Sequence, residues 1–343
     1  MAKGVTLADI AQKVGVSNVA VSKALSGKPG VSDELRVRIK QVAERMGYIQ
    51  LPAGKTGGVE TGNIGVIIPE YYYGHSFSFY GKLYEMLVKA LYDHKYYGIL
   101  ELLSKEDEKS GNIPKVMQDW KVDGMIFMGQ MDQDYICKMA QQTEMPAFFL
   151  DSYIPSVSID AVVSDGYYGT YQLTNYLISQ GHKKIGFVGS VDETSSIEDR
   201  FWGYRKALRE NQIEFQDEWE LPDRNESGKT YARILTEKTE LDAFVCNCDF
   251  TAYILIQNLE GMGYSVPEDL SVVGFDDFLP AGIGMDMATD MITTYSVDMK
   301  QMSEVCVSSL IKKIKHETYP EGIQVVSGKI VEKKTVKKRS VTS

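Results

Sequence analysis

The chain has 343 residues, 43% hydrophobic and 24% charged, with a formal net charge of −10. That length gives room for two or three domains with a real core. No apolar run of about 18 residues and no apolar leader near the N-terminus occur, so no membrane partner is expected and a cytoplasmic chain is. Four cysteines (Cys137, Cys246, Cys248 and Cys306) form no CxxC pair, and four histidines form no HExxH. Core thiols are expected, with no metal centre and no cofactor.

The charge is uneven. Residues 1–50 carry eight bases and four acids, a balance of +4, which leaves −14 for the rest. A basic head on an acidic body points to a polyanion partner for the head. In the head, Thr6 is a predicted N-cap, and Leu7, Ile10, Ala11 and Val14 then mark one helical face. Gly15 ends that helix where positive φ is cheap. Ser17 caps a second helix with Ala20, Val21, Ala24 and Leu25 inward. Ser32 caps a third, with Leu35, Ile39, Val42 and Met46 as its buried stripe. Two short helices joined by a glycine-containing turn are the helix-turn-helix pattern.

The second helix shows Asn18, Val19, Ser22 and Lys23 outward. An amide pairs with adenine, an ammonium reaches guanine, and a small apolar group fits a thymine methyl. Thr6, Ser17, Ser22 and Ser32 are candidate phosphate donors on a double-stranded DNA operator.

The stretches VTLADIAQKVGVSNVAVSKALSG and VSDELRVRIKQVAERMGY resemble the DNA-binding head of the LacI family of sugar-responsive transcription regulators. That resemblance implies base reading by Asn18, Val19 and Lys23. The family's usual residue at Lys23 is arginine; lysine keeps the charge and loses the planar fork.

Residues 51–62, LPAGKTGGVETG, form a glycine-rich linker. The family's hinge helix and its minor-groove leucine are not expected here, because Gly54, Gly57 and Gly58 disfavour a helix by about 1 kcal/mol each.

From Asn63 to residue 335, apolar runs alternate with amphipathic segments. Strands are predicted at 64–69, 97–102, 124–128, 147–151, 160–164, 184–189, 242–247, 270–275 and 291–295. Helices are predicted at 80–94, 113–120, 134–142, 167–180, 197–210, 228–238, 251–262 and 298–315. Apolar strands alternating with helices imply an α/β body of two doubly wound parallel-sheet lobes. The expected division is 63–163 with 293–323 for the first lobe and 164–292 with 324–335 for the second. Residues 336–343 read as a basic tail.

No GxGxxG, GxxxxGK[ST] or GxSxG stands in its required setting, so an enzyme is not expected. Ligands of such sheets bind beyond the strand C-termini and between lobes. Asp151, Asp249 and Asp276 follow predicted strands, and Arg200 opens a helix after a loop. Tyr71, Tyr72, Tyr73, Phe77, Phe79 and Tyr80 crowd the loop after the first strand. Carboxylates and arginine that bond hydroxyls, with aromatic faces, suit a small carbohydrate. Tyr73, Phe79, Asp151, Arg200, Asp249 and Asp276 are the candidate effector residues, although Asp249 equally reads as a helix cap and His182 as a turn residue.

The resemblance to the LacI family extends through DGYYGTYQLTNYLISQGHKKIGFVG, EDRFWGYRKAL, DFTAYILIQNLEGMGYSVPEDLSVVGFDD, TTYSVDM and VEKKTV. It implies a periplasmic-binding-protein-like body, a homodimer, a repressor's role, and an effector cleft lined by Phe79, Asp151, Arg200 and Asp276. Family members often place an aromatic where Asp223 stands, so a carboxylate there suggests a more polar ligand.

Overall fold

The computed structural model describes residues 7–25, 30–46, 61–73, 78–118, 121–142, 145–225, 231, 233–280 and 291–339. The head consists of α1 (Leu7–Val14), α2 (Asn18–Leu25) and α3 (Asp33–Arg45). Its core is Ile10, Ala11 and Val14 from α1, Val21 and Ala24 from α2, and Ile39 and Ala43 from α3. Gly15 ends α1 at φ 80°, a left-handed conformation that costs glycine little. Arg36 of α3 reaches back to the preceding helix. Its Nη1 donates to the Ala24 and Lys23 carbonyls, at 3.0 and 3.2 Å, and so closes the C-terminus of α2. Thr6, Phe77 and residues 51–60 of the linker lie outside the described residues. The last two linker residues are held: Thr61 and Gly62 N–H donate to the two oxygens of Asp123, at 3.0 and 2.8 Å.

The body then runs β1 (Asn63–Pro69), α4 (Glu70–Tyr73), α5 (Phe79–Asp93), β2 (Tyr97–Leu103), α6 (Lys105–Ser110), α7 (Lys115–Gln118), β3 (Gly124–Met128), α8 (Gln133–Gln142), β4 (Ala147–Leu150) and β5 (Asp160–Ser164). It continues with α9 (Gly166–Ser179), β6 (Ile185–Val188), α10 (Ser195–Glu210), β7 (Glu220–Leu221), β8 (Ala243–Cys246), α11 (Asp249–Gly261), β9 (Ser271–Asp276) and β10 (Thr293–Ser296). It closes with α12 (Met299–Ile314), β11 (Ile323–Val326) and β12 (Lys329–Val331).

Two six-stranded sheets result, ordered β11-β5-β4-β3-β1-β2 and β12-β10-β9-β8-β6-β7. All pairs in the first are parallel. In the second only the β10–β12 pair is antiparallel. Central strands β3 and β4 are buried along their whole length, as expected where helices cover both faces of a parallel sheet.

Three expectations need correction. Residues 293–296 belong to the second lobe, not the first, because β10 pairs with β9 and Tyr295 stacks on Phe275 with centroids 5.1 Å apart. Residues 324–326 belong to the first lobe, where β11 pairs with β5. The helix expected over 228–238 is absent from residues 231 and 233–238. There the backbone bonds outward instead: Tyr231 N–H to the Asp223 carbonyl (2.8 Å) and Leu235 N–H to Asn258 Oδ1 (2.6 Å).

The chain passes between lobes after β5, after β10 and after β11. The last passage is tight, since a Cβ on Gly328 would lie 2.0 Å from the Ser296 carbonyl oxygen. Residues 336–339 of the expected tail are attached to the second lobe, through Lys337 N–H to Ser271 Oγ and Arg339 N–H to the Gln180 carbonyl. Among the described residues no helix is long and apolar enough to cross a membrane.

Candidate functional site: a helical DNA face and an inter-lobe crevice

In the head, Ser17 Oγ accepts from Ala20 N–H at 3.2 Å, so it is the N-cap of α2. Val21 and Ala24 are buried, while Asn18, Lys23 and Val19 are exposed, Val19 to 64%. Ser22 is half-buried beside them. Positions 18, 19, 22 and 23 fall on one side of a helix. An exposed valine there, flanked by an amide and an ammonium, gives α2 a face with one apolar and two hydrogen-bonding tips. Ser32 Oγ lies 3.4 Å from Leu35 N–H, a weak cap for α3.

In the body, the strand ends converge. Asp151 directly follows β4, Asp276 ends β9, and Arg200 stands on α10 after β6. Arg200 is only 6% exposed. Its Nη2 donates to Asp276 Oδ1 at 3.2 Å and its Nη1 to the Asn247 carbonyl at 2.6 Å. Its guanidinium carbon lies over the Phe275 ring, 4.0 Å from the centroid. Tyr80 Oη donates to Asp151 Oδ2 at 3.0 Å. Asp151 and Asp276 adopt φ of 63° and 97°; such strain costs about 1–3 kcal/mol per residue and gathers at binding sites.

Burial pushes the Asp151 carboxyl up to about 7, with Arg200 opposing the shift and Asp276 adding to it. Burial raises Asp276 as well, again against Arg200. Two carboxyls and one guanidinium therefore share a buried crevice in which charge is incompletely balanced. Arg200 Nε and Asn247 Oδ1 are buried and make no hydrogen bond among the described residues, whereas most buried polar groups have a partner. The lobes touch beside this group: Ser195 Oγ donates to Gln130 Oε1 at 3.2 Å, and Phe79 meets Phe278 edge-on with centroids 6.1 Å apart.

Phe79, Asp151, Arg200 and Asp276 thus come together, and two other candidates do not. Tyr73 turns toward Tyr84, edge-on at 6.5 Å. Asp249 does not cap α11; Cys248 does, its sulfur accepting from Thr251 N–H. The Asp249 carboxylate lies buried against Gly274, and its Oδ2 accepts from Phe278 N–H at 2.9 Å. It anchors the loop after β9. His182 is likewise structural, 1% exposed, between Asp242 and the Lys337 carbonyl.

Asp223 is wholly buried and cannot face a ligand. Oδ1 accepts from Ser190 N–H and Arg224 Nε; Oδ2 accepts from Arg224 Nη2, Asn247 Nδ2 and Thr251 Oγ1, all within 3.0 Å. Burial raises this carboxyl, but the bonds from Arg224, then Thr251 and Ser190, outweigh it and hold it below the usual carboxylate range. Arg224 in turn reaches a chamber of about 850 Å³ between the lobes, together with Tyr71, Tyr72 and Gln130. Sequence reasoning placed Tyr80 among the crowded aromatics without singling it out, and missed Asn247, Gln130 and Arg224 as site residues. Asn247 carried a signal, because it directly follows β8 at its C-terminal end.

Residues 6–50 match the bacterial regulatory proteins of the lacI family, and residues 174–336 match the periplasmic binding protein-like domain. The chain belongs to the LacI family. A LacI-family chain is a ligand-responsive, DNA-binding transcription regulator and not an enzyme. The HTH-type transcriptional regulator RegA of Clostridium saccharobutylicum is 28% identical, over 96% of this chain and 98% of its own length. Catabolite control protein A of Priestia megaterium is 27% identical, over 93% and 95%. The LacI-like fold recurs in the solved CelR–cellobiose complex (TM-score 0.69, 20% identity, 96% and 99% covered). It recurs too in the lac repressor dimer bound to operator and the anti-inducer ONPF (0.64, 20%, 98% and 100%).

Proposed function

We propose that this chain is a cytoplasmic homodimeric repressor whose operator affinity is set by a small sugar held between its lobes. In this reading α2 lies in the major groove. Asn18, Val19 and Lys23 touch base edges, and Ser17, Ser22 and Ser32 donate to phosphates. Two heads in a dimer then meet half-sites about one helical turn apart.

The observation that carries the effector half is the crevice itself. Arg200 is wedged between Phe275 and Asp276 from one lobe, close enough to Asp151 of the other to influence its proton. A sugar hydroxyl both donates and accepts, so one placed there can accept a hydrogen bond from Arg200 Nε–H and donate one to Asp151 or Asp276. Such a ligand touches both lobes and favours the closed arrangement by its differential affinity for it. The solved relative bound to cellobiose and another bound to ribose are consistent with this ligand class.

Arg200→Ala, assayed by gel shift on DNA from the chain's own genomic neighbourhood, is expected to keep operator binding and lose its response to sugar. Loss of both would assign Arg200 to folding and remove the crevice from the mechanism.

A further inference from the structure

Beside the crevice lies the chamber of about 850 Å³, walled by Tyr71, Lys105 and Gln130 of the first lobe and Glu193, Thr194 and Arg224 of the second; Tyr72 of its wall packs on Tyr80, with centroids 4.8 Å apart, and the Tyr80 hydroxyl bonds Asp151. A volume near the top of the ~300–1,000 Å³ range of ligand pockets exceeds what one sugar ring fills. Its wall carries four basic and four acidic side chains. That balance disfavours an anion, and a mixed lining of donors and acceptors matches hydroxyls, which are both.

One group in it is built, not merely present. Asp223 takes both Nε and Nη2 of Arg224 and is itself saturated by Ser190, Asn247 and Thr251. The Arg224 side chain is 18% exposed, and Nη1 makes no hydrogen bond among the described residues. A fork clamped on one edge presents the other edge at fixed geometry, so ordering cost on binding is small. The same Asn247 whose amide holds Asp223 gives its carbonyl to Arg200. The outer arginine and the inner one are therefore linked through Asp223 and Asn247.

We infer that the chamber is a second subsite, in which Arg224 receives the additional rings of a neutral oligosaccharide whose first ring sits at Arg200. This rests on the reading of the crevice as a sugar site. It replaces the expectation that Asp223 itself meets the ligand: the carboxylate acts by positioning Arg224.

The test is calorimetric titration of the full chain with glucose, xylose, cellobiose, cellotriose, maltotriose, xylotriose and digalacturonate. At least one neutral oligosaccharide is expected to bind ten times or more tighter than its own monosaccharide, and digalacturonate to show no advantage over the neutral sugars. Arg224→Ala, which removes a charged donor, should weaken the oligosaccharide about tenfold or more, and Tyr71→Ala, from the opposite wall, about three- to tenfold. Tyr71→Ala should leave the monosaccharide within twofold. Tyr71 is 47% exposed, so its variant serves if Arg224→Ala fails to fold. Equal affinity for monomer and oligomer, or equal losses for both in the variants, would overturn the second subsite while leaving a sugar crevice. Preference for digalacturonate would overturn the neutral assignment. Binding of no sugar in this panel would overturn the subsite together with the sugar reading beneath it.

Discussion

Asp151→Asn isolates the proton held in the crevice. In the folded chain this carboxyl titrates at about 7, against 3.8 for its ordinary value. A proton held to higher pH in the folded state than in the unfolded one favours folding below the unfolded value, and that contribution fades as pH climbs through the folded value. The full span is about three pH units, or about 4 kcal/mol. Between pH 5 and pH 8, roughly 2–3 kcal/mol of it should disappear. In a body of this size 1 kcal/mol moves Tm by about 2–4 °C, so wild type should lose roughly 5–10 °C relative to the variant. Asparagine suits the position: it tolerates the φ of 63° and keeps an oxygen for the Tyr80 hydroxyl. Thermal melts of both proteins at pH 5, 6, 7 and 8 give the comparison. Parallel profiles would refute the reasoning, since Asp276 and Asp249, whose carboxyls burial also raises, remain in both proteins.

Three further outcomes follow from the geometry. Asp223→Ala strands Arg224 and its companions in the second lobe and should cost about 3–5 kcal/mol in urea unfolding. A loss below 1 kcal/mol would deny the network its role. Gly203→Ala places a Cβ 2.0 Å from the Tyr167 carbonyl, where α10 crosses α9; a loss of about 1–3 kcal/mol or more is expected, and an unchanged Tm would contradict so close a crossing. Lys23→Ala should cost roughly 1–3 kcal/mol at one operator base pair and relax preference there. Equal weakening on all sequences would make Lys23 a phosphate contact.

Much of the fold was legible because burial on both faces writes itself as unbroken apolar runs. AFFL and AFVC could be little else than central strands, and each is fully buried. Caps were legible for the same local reason: Ser17 and, more weakly, Ser32 each accept from an N–H three residues on. What failed was decided at a distance. YARILTEK has helical spacing, but its backbone is bonded by Asp223 and Asn258, which lie elsewhere in the chain. The strands IQVV and KIV are short and largely outward-facing, so their sheet is set by which edge is free.

The site divides in the same way. Asp151, Asp276 and Arg200 could be named because strand ends and the helix after them point to one crevice. Arg224 could not, since its direction depends on a carboxylate held by Ser190, Asn247 and Thr251 together. Asp249 occupied a strand end and still proved structural, because Gly274 lets its carboxylate pack inward. A carboxylate's place along the chain shows that it reaches the rim, not which way it turns.

The most direct measurement is a hydroxyl-radical footprint of the full chain on DNA flanking its own gene, with and without a sugar that raises the body's Tm. Two protected patches about one turn apart, whose occupancy shifts as the sugar saturates, are expected. Protection indifferent to that sugar, or no protected patch on any such DNA, would contradict the coupling of α2 to the Arg200 crevice.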